Sequence, residues 1–437
     1  MQRNPIRLPT LVCVALILSH AAANHALANN DSSRTNVVLI MADDIGYECY
    51  ESYGSTSYKT PVLNRLAREG MRFTNAYSNP VCTPTRIKIM TGLRNVRNYI
   101  GFSLLGKSER TIGHMMQAAG YKTAIAGKWQ LLAAEHYNKR FRGKGSYPQN
   151  MGFDRHCLWQ VERLGSRFWN PTVTTDSQTE KFGEDVYGPD LYAQFLLDRM
   201  EEYRSEPFFL YYPMALVHSP FVPTPDSADR TSKNKQQNFA DMVAYMDKLI
   251  GKFVAKSEEL GIAEKTLFLV TGDNGTHKSI KSELGDRVIV GGKGLPTDGG
   301  THVGLFAYQP GTVPAGKVCD DLIEFSDLMP TIAATTGAEP LSPTDGVSFY
   351  PQLLGEPGNP RETVFVYYWP RPEKGEPLRF VRDKRWKLYG DGKLYDIQND
   401  VLEKKPVKGH DRVRARLQAA MDQMPAEGQN ILNLENN

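Results

Sequence analysis

The sequence predicts an α/β protein built on a mostly parallel sheet with helices on both faces. Three observations carry this: four short apolar runs have strand character, helical patterns separate them, and each run ends in polar residues of unusual type. The runs cover residues 37–41, 123–126, 208–212 and 267–271, and their unbroken apolar character is that of parallel strands buried on both faces.

The first helix is expected over residues 60–70. Thr60 can cap it, Pro61 suits its first turn, Leu63, Leu66 and Ala67 share a face, and Gly70 can end it. Residues 111–120 repeat that grammar, and further helices are expected over 190–203, 238–260 and 326–336. In such sheets ligands collect beyond the carboxyl ends of the strands. The clusters Asp43-Asp44, Lys128, His218 and Asp273-Asn274 would therefore share one edge. Residues 135–185 read as loop-rich, with Tyr147, Trp159, Phe168 and Trp169 among several arginines. After about Pro343 the pattern changes to short β-like pieces at 363–369, 380–387 and 393–397, parted by Gly and Pro turns. The expected organisation is a leader over 1–28, a catalytic α/β domain over 35–342 and a small antiparallel β subdomain over 343–437 packed on it.

The leader is read from Arg3 and Arg7, the short apolar run 8–18 and the small-x-small site Ala26-Leu27-Ala28, so the mature chain would begin near Asn29. The run falls well short of the roughly 20 residues that span a bilayer, and Val12 before Cys13 is too bulky for lipoprotein processing. An exported protein without stable membrane insertion is expected, periplasmic or extracellular if the source is bacterial. With 52 basic and 49 acidic residues the net charge of +3 gives no general attraction to nucleic acid, so anion recognition must be local. Beyond Cys13 the cysteines are Cys49, Cys82, Cys157 and Cys319; their spacing fits no zinc pattern, and buried free thiols with at most one disulfide are expected.

The sharpest local signal is Cys82-Thr83-Pro84-Thr85-Arg86. Its company, in order, is Asp43-Asp44-x-Gly46, Gly127-Lys128-Trp129, His218-x-Pro220, Gly272-Asp273-Asn274-Gly275, and Gly292-Lys293-Gly294 followed by Gly299-Gly300. Near the end Leu394-Tyr395-Asp396 follows Trp386-Lys387-Leu388. Pro84 suits the first turn of a helix, so Cys82 would stand near backbone N–H groups that favour an anion. Asp43, Asp44, Asp273 and Asn274 are hard oxygen donors that suit Ca²⁺ or Mg²⁺ better than zinc.

Together these motifs resemble the type I sulfatases of the alkaline phosphatase superfamily, whose signature is C-x-P-x-R, and the resemblance spans about residues 36–403. It implies an alkaline-phosphatase-like fold and hydrolysis of a sulfate monoester of a sulfated small molecule or glycan. It also implies that a formylglycine-generating enzyme oxidises Cys82 to formylglycine, whose hydrate attacks sulfur to give a covalent sulfate hemiester. One Ca²⁺ is implied at Asp43, Asp44, Asp273 and Asn274, with the residue-82 oxygen completing its shell. By the same resemblance Arg86 and Lys128 stabilise the nucleophile and the sulfuryl group, Lys293 holds another sulfate oxygen, and His218 donates a proton to the leaving alcohol.

Two positions depart from the family. Gln130 stands where Gly-Lys-Trp-His places a histidine, and an amide cannot take up the proton of the second hydroxyl near neutral pH. His136 or His277 are the candidate substitutes. His302 stands where the later motif commonly ends in arginine, an exchange expected to weaken an ion pair or reshape the pocket. The competing readings are a phosphonate or phosphate ester hydrolase on the same scaffold and a weakly active relative that binds sulfated glycans. Trp159, Phe168 and Trp169 are open to two uses, stacking on a sugar or aromatic ring and packing the core.

Overall fold

The computed structural model describes Met1 and residues 34–434 apart from positions 138 and 373; the leader expected over 1–28 lies outside the described residues. Its centre is a ten-stranded sheet. In chain order the strands are β1 (Asn36–Ala42), β2 (Met71–Tyr77), β3 (Lys122–Lys128), β4 (Arg155–Trp159), β5 (Thr172–Thr175), β6 (Gln178–Lys181), β7 (Phe208–Pro213), β8 (Thr266–Gly272), β11 (His302–Tyr308) and β12 (Lys317–Glu324). A separate hairpin pairs β9 (Lys281–Leu284) with β10 (Arg287–Val290). Across the large sheet the order is β12-β2-β11-β8-β1-β7-β3-β4-β5-β6. The central run β8-β1-β7-β3-β4 is parallel throughout. Antiparallel pairing enters only at β11 and at β5 with β6.

All seven residues of β1 are buried, and their side chains alternate between two cores. Val38, Ile40 and Ala42 join one hydrophobic cluster, while Val37, Leu39 and Met41 join the other. The first is covered by helices α1 (Pro61–Glu69), α4 (Gly188–Glu202) and α5 (Lys235–Glu259). The second is covered by α2 (Cys82–Thr91), α3 (Ile112–Ala118) and α6 (Leu328–Thr336). A sheet wet on neither face needs apolar residues at every position, which is why the four central strands stood out in the sequence.

The helix starts are satisfied in different ways. Asn234 caps α5, accepting from the N–H groups of Gln236 and Gln237, and Thr111 forms a capping box with His114 at the start of α3. Thr60, expected to cap α1, does not. Its hydroxyl accepts from the Glu51 N–H at 3.2 Å, and the free N–H groups of Val62 and Leu63 are taken by the Asp247 carboxylate of α5, each at 2.9 Å. The orphan donors of a helix start are satisfied by whichever acceptor the tertiary structure brings.

The C-terminal sheet is antiparallel in the order β13 (Val364–Tyr368), β14 (Leu378–Arg382), β15 (Trp386–Tyr389) and β16 (Leu394–Asp396). The single piece read at 380–387 is two strands: Asp383 accepts from the N–H groups of Arg385 and Trp386 and turns the chain between them. Helix α7 (Asp411–Asp422) packs Leu417 and Met421 onto this sheet and was not anticipated. Residues 135–185, read as loop, contain β4, β5 and β6.

One buried carboxylate ties the two sheets to α2. Glu324, at the end of β12 and fully buried, receives Arg94 through two nitrogens at 3.0 Å, Lys88 of α2 at 3.2 Å, Ser326 at 3.2 Å and the N–H of Phe365 on β13 at 3.2 Å. Arg361 lies 3.5 Å away. Burial opposes its ionisation, but Arg94, Lys88 and Arg361 outweigh it and hold the carboxyl far below the usual range. Burial meanwhile pushes Lys88 down, so the bidentate Arg94 is its firmest partner. Glu324→Gln strands these cations in the interior and should lower unfolding stability by about 3–5 kcal/mol in chemical denaturation. The carboxylate's contribution is complete above about pH 4 and is lost only as pH falls through its depressed folded value, so variant and parent should converge in strong acid. Equal denaturation midpoints at neutral pH would refute this.

Candidate active site

The carboxyl edge of the parallel run gathers the site. β1 and β8 pair in register up to Ala42 and Gly272, so the next residues, Asp43 and Asp273, leave the sheet side by side. The Asp273 N–H donates to the Ala42 carbonyl at 2.9 Å, and the Asp43 N–H to Leu216 at 2.7 Å. Asp44 adopts a left-handed backbone, φ 63°, and its N–H donates to Asp273 Oδ1 at 3.0 Å. Asn274 Nδ2 donates to Asp44 Oδ1 at 2.9 Å. All four side chains are fully buried.

Cations converge on them from four other segments. Lys128, the last residue of β3, donates to Asp43 Oδ2 at 2.7 Å. Gly127 before it has φ 119°, and a Cβ there would lie 2.1 Å from the Pro213 carbonyl oxygen, so only glycine lets β3 end against β7. Arg86, one turn into α2, donates to Asp273 Oδ2 at 3.0 Å and to the Lys128 carbonyl at 3.1 Å. Lys293 donates to Asp44 Oδ2 at 2.6 Å. Its loop approaches because Gly275 packs on Gly299, where a Cβ would meet a carbonyl oxygen at 1.9 Å. Arg167, after β4, lies flat on Trp159 with its carbon 3.8 Å from the ring centroid and reaches Asp43 Oδ2 at 3.5 Å.

Cys82 is the first residue of α2, behind an extended Val81 that offers no side-chain cap. The free N–H groups of that first turn lie beside its Sγ. The thiol donates to Gln130 Oε1 at 3.0 Å. Gln130, itself left-handed at φ 56°, passes its Nε2 to the Tyr137 hydroxyl at 3.4 Å, and Gln160 Nε2 reaches the same hydroxyl at 3.3 Å. Cys82, Gln130, Arg167, His218 and Lys293 open onto one cavity of about 670 Å³, with no carboxylate in its lining among the described residues.

His218 Nε2 stands 3.6 Å from Asp44 Oδ2, and its Nδ1 lies 2.5 Å from the Ser219 carbonyl, which fixes the proton on Nδ1. Burial lowers its pKa to about 4 against the pull of Asp44 and Asp43. The imidazole is therefore neutral at pH 7, unlike the readily protonated residue read from the sequence. Burial also raises Asp273, with crowding by Asp43 adding to it and Arg86 opposing. Asp43 goes the other way: Lys128, His218 and Arg86 outweigh burial and hold it well below the usual carboxylate range.

This donor set fits a hard divalent cation. Asp43 Oδ1 and Asn274 Oδ1 are buried acceptors without a hydrogen-bond partner, each an uncompensated cost of about 1–3 kcal/mol. One ligand atom each from Asp43, Cys82 and Asp273, and one each from Asp43, Asp44 and His218 (carboxylate oxygen, thiol sulfur or imidazole nitrogen), lie within 4.8 Å of one another. Both groups share Asp43, and the carboxylates with the Asn274 amide form the oxygen-rich part that calcium or magnesium prefers.

Among the remaining sequence expectations, His136 lines the cavity and contacts Gln160 at 3.3 Å, whereas His277 bonds Ser279 outside the lining. Trp159 forms cavity wall; Phe168 and Trp169 pack on Tyr187, at 6.1 and 4.7 Å between centroids. His302 is not in the lining: it stacks on Tyr47 at 4.0 Å, and its Nε2–H donates to the Thr74 carbonyl at 2.9 Å. Asp298, four residues before His302 and 3.9 Å from its ring, pairs with Arg382 of β14 at 2.6 Å. Among the described residues Cys49, Cys82, Cys157 and Cys319 are all free thiols. Arg167 was not singled out in the sequence; its only local signal is its place beside Phe168 and Trp169.

The family model described as Sulfatase matches residues 35–338. Arylsulfatase A of Bos taurus is 31% identical over 387 residues, 82% of this chain and 75% of its own length. N-acetylgalactosamine-6-sulfatase of Rattus norvegicus is 28% identical over 375 residues, 78% of this chain and 69% of its own. The crystal structure of Ps i-CgsB superposes with a TM-score of 0.74 at 22% identity, covering 91% of this chain and 94% of that one, a likeness of fold.

Calcium should raise the melting temperature, with stabilisation of about 2.7 kcal/mol once it stands a hundredfold above its Kd, and Asp273→Ala should abolish the response. Differential scanning calorimetry with and without chelator reads this. A parent protein indifferent to calcium, or stoichiometric zinc in metal analysis, would overturn the assignment.

Proposed function

Because the chain belongs to the sulfatase family and is a sulfuric ester hydrolase, we propose that it cleaves the sulfate monoester of a carbohydrate or aryl alcohol using formylglycine formed from Cys82. The observation that carries this reading is the placing of Cys82: at a helix start, between Gln130 and the Asp43–Asp273 carboxylates, on the floor of a cavity lined by cations. Export through the leader 1–28, encounter with a formylglycine-generating enzyme, and division into a catalytic part, 35–342, and a smaller part, 343–437, belong to the same proposal. Among the described residues no helix is long and apolar enough to cross a membrane.

Formylglycine supplies an aldehyde hydrate, one hydroxyl to attack sulfur and a second whose deprotonation frees sulfate. Asp43, Asp44, Asp273 and Asn274 with residue 82 would hold calcium, which would supply fixed positive charge at this edge of the cavity. The rest falls to side chains already in place. Lys128 holds Asp43 ionised, Arg86 opposes the rise of Asp273, and both keep positive charge against the nucleophile's side of the cavity. Lys293 and Arg167 face a sulfate from the open side, where four cations against three carboxylates leave room for an anion. His218 is neutral until an anion arrives. A bound sulfate stabilises its protonated form, which makes it an acid for the leaving alcohol only when substrate is present.

Gln130 occupies the place of a proton acceptor and contacts Cys82 directly, yet an amide orients a hydroxyl without removing its proton. The phosphonate ester reading shares the cation-lined cavity; relative rates on matched sulfate and phosphonate esters separate the two. A non-catalytic glycan binder requires Cys82 to remain a thiol.

Mass spectrometry of the Cys82 peptide from active native protein should find formylglycine, and thiol alone would sink the proposal. Rapid mixing should show a burst of alcohol followed by slower steady turnover, because sulfate release lacks its usual base. Gln130→His should accelerate the slow phase. The absence of a burst, with Gln130→His no faster than the parent, would mean that another group already serves.

A further inference from the structure

Beside the active-site cavity lies a second one of about 390 Å³ that shares four wall residues with it: Phe102, His136, Tyr137 and Arg371. Phe141 and Lys374 also line it, and among the described residues no carboxylate does. The aromatic walls are Phe102 and Tyr137, with centroids 6.0 Å apart, and Phe141, which is buried. The Arg371 guanidinium sits 5.8 Å from the Phe102 centroid, and the Tyr99 hydroxyl anchors its loop by donating to the Pro370 carbonyl at 2.8 Å. Among the described residues neither Arg371 nor Lys374 has a carboxylate within ion-pair distance. Lys139, Arg140, Arg142 and Lys144 stand exposed around Phe141. In a chain whose basic and acidic residues nearly balance, 52 against 49, this is a local concentration of positive charge.

We propose that this second cavity is a subsite for the neighbouring sugar of an acidic oligosaccharide, and that Arg371 and Lys374 bind a second anionic group on that sugar. The proposal rests on the sulfatase reading and narrows its substrate. Aromatic faces suit the apolar face of a pyranose, and a guanidinium fork beside an ammonium suits a sulfate or carboxylate. A monosulfated aryl alcohol would fill the first cavity and leave this one to water. The scissile sulfate is bound by Lys293 and Arg167; the second group is read separately, by residues on the loop between β13 and β14.

The test uses three disaccharides that share one sulfated sugar and differ on the next, which is unsubstituted, sulfated or a uronate. Calorimetric binding to the full-length Cys82→Ala protein, which cannot turn them over, should favour one or both doubly anionic ligands by about tenfold at low ionic strength, less as salt is added. Which of the two is preferred tells sulfate from carboxylate recognition. Adding R371A/K374A should bring the ratio near one, and R371E/K374E should invert it. Equal binding of all three ligands, no measurable binding of any, or an unchanged ratio in R371A/K374A would overturn the subsite. Failure of the sulfatase reading looks different: the unaltered enzyme would release no sulfate from any of the three, whatever the binding ratio.

Discussion

Three carboxylates buried within a few ångströms of one another are the constraint on which the rest of this molecule depends. Asp43, Asp44 and Asp273 leave adjacent strand ends with no access to water, and mutual repulsion in a low dielectric would protonate or expel them unless positive charge were supplied. The chain supplies it from far apart: Lys128 from β3, Arg86 from α2, Arg167 from the loop after β4 and Lys293 from the loop before β11. Each must arrive at the same edge, so the strand order and the glycines that let β3 and the later loop close in are consequences of one electrostatic demand. A site able to draw a sulfate monoester and a divalent cation together follows from the same charge balance.

How much of this was legible in the sequence follows from where the information lies. The four central strands were visible because a strand buried on both faces must be apolar throughout. β2 was not, since Arg72, Thr74 and Asn75 interrupt it, and only its place between β11 and β12 makes it a strand. Thr60 looked like a cap because the local pattern permits one; the acceptor used, Asp247, is 185 residues away. In the site, residues held in short motifs were found and Arg167 was missed, because its partners Trp159 and Asp43 come from elsewhere in the chain.

The two departures from the family pattern separate once geometry is considered. His302 sits in an aromatic stack away from the cavity, and Arg382 from the C-terminal sheet meets the acidic residue next to it. That exchange is a matter of packing. Gln130, by contrast, touches the sulfur of Cys82 and continues into Tyr137, Gln160 and His136. Lys128, Arg86 and Lys293 thus meet the buried carboxylates, while Cys82 faces amides, a phenol and a more distant imidazole.

The carboxylate that joins the two sheets also sets a clock. Cys82 is 2% exposed in the finished fold, and the helix that carries it is pinned through Lys88 to Glu324, 236 residues later. At roughly 5–20 residues per second of synthesis, about 10–50 seconds pass between the emergence of Cys82 and that of its anchor. During that interval the thiol belongs to an unfinished chain; in the finished fold it is reached only through the cavity it lines. Under the proposed conversion of Cys82 to formylglycine, the late arrival of this anchor leaves time for the modification before the helix is fixed in place.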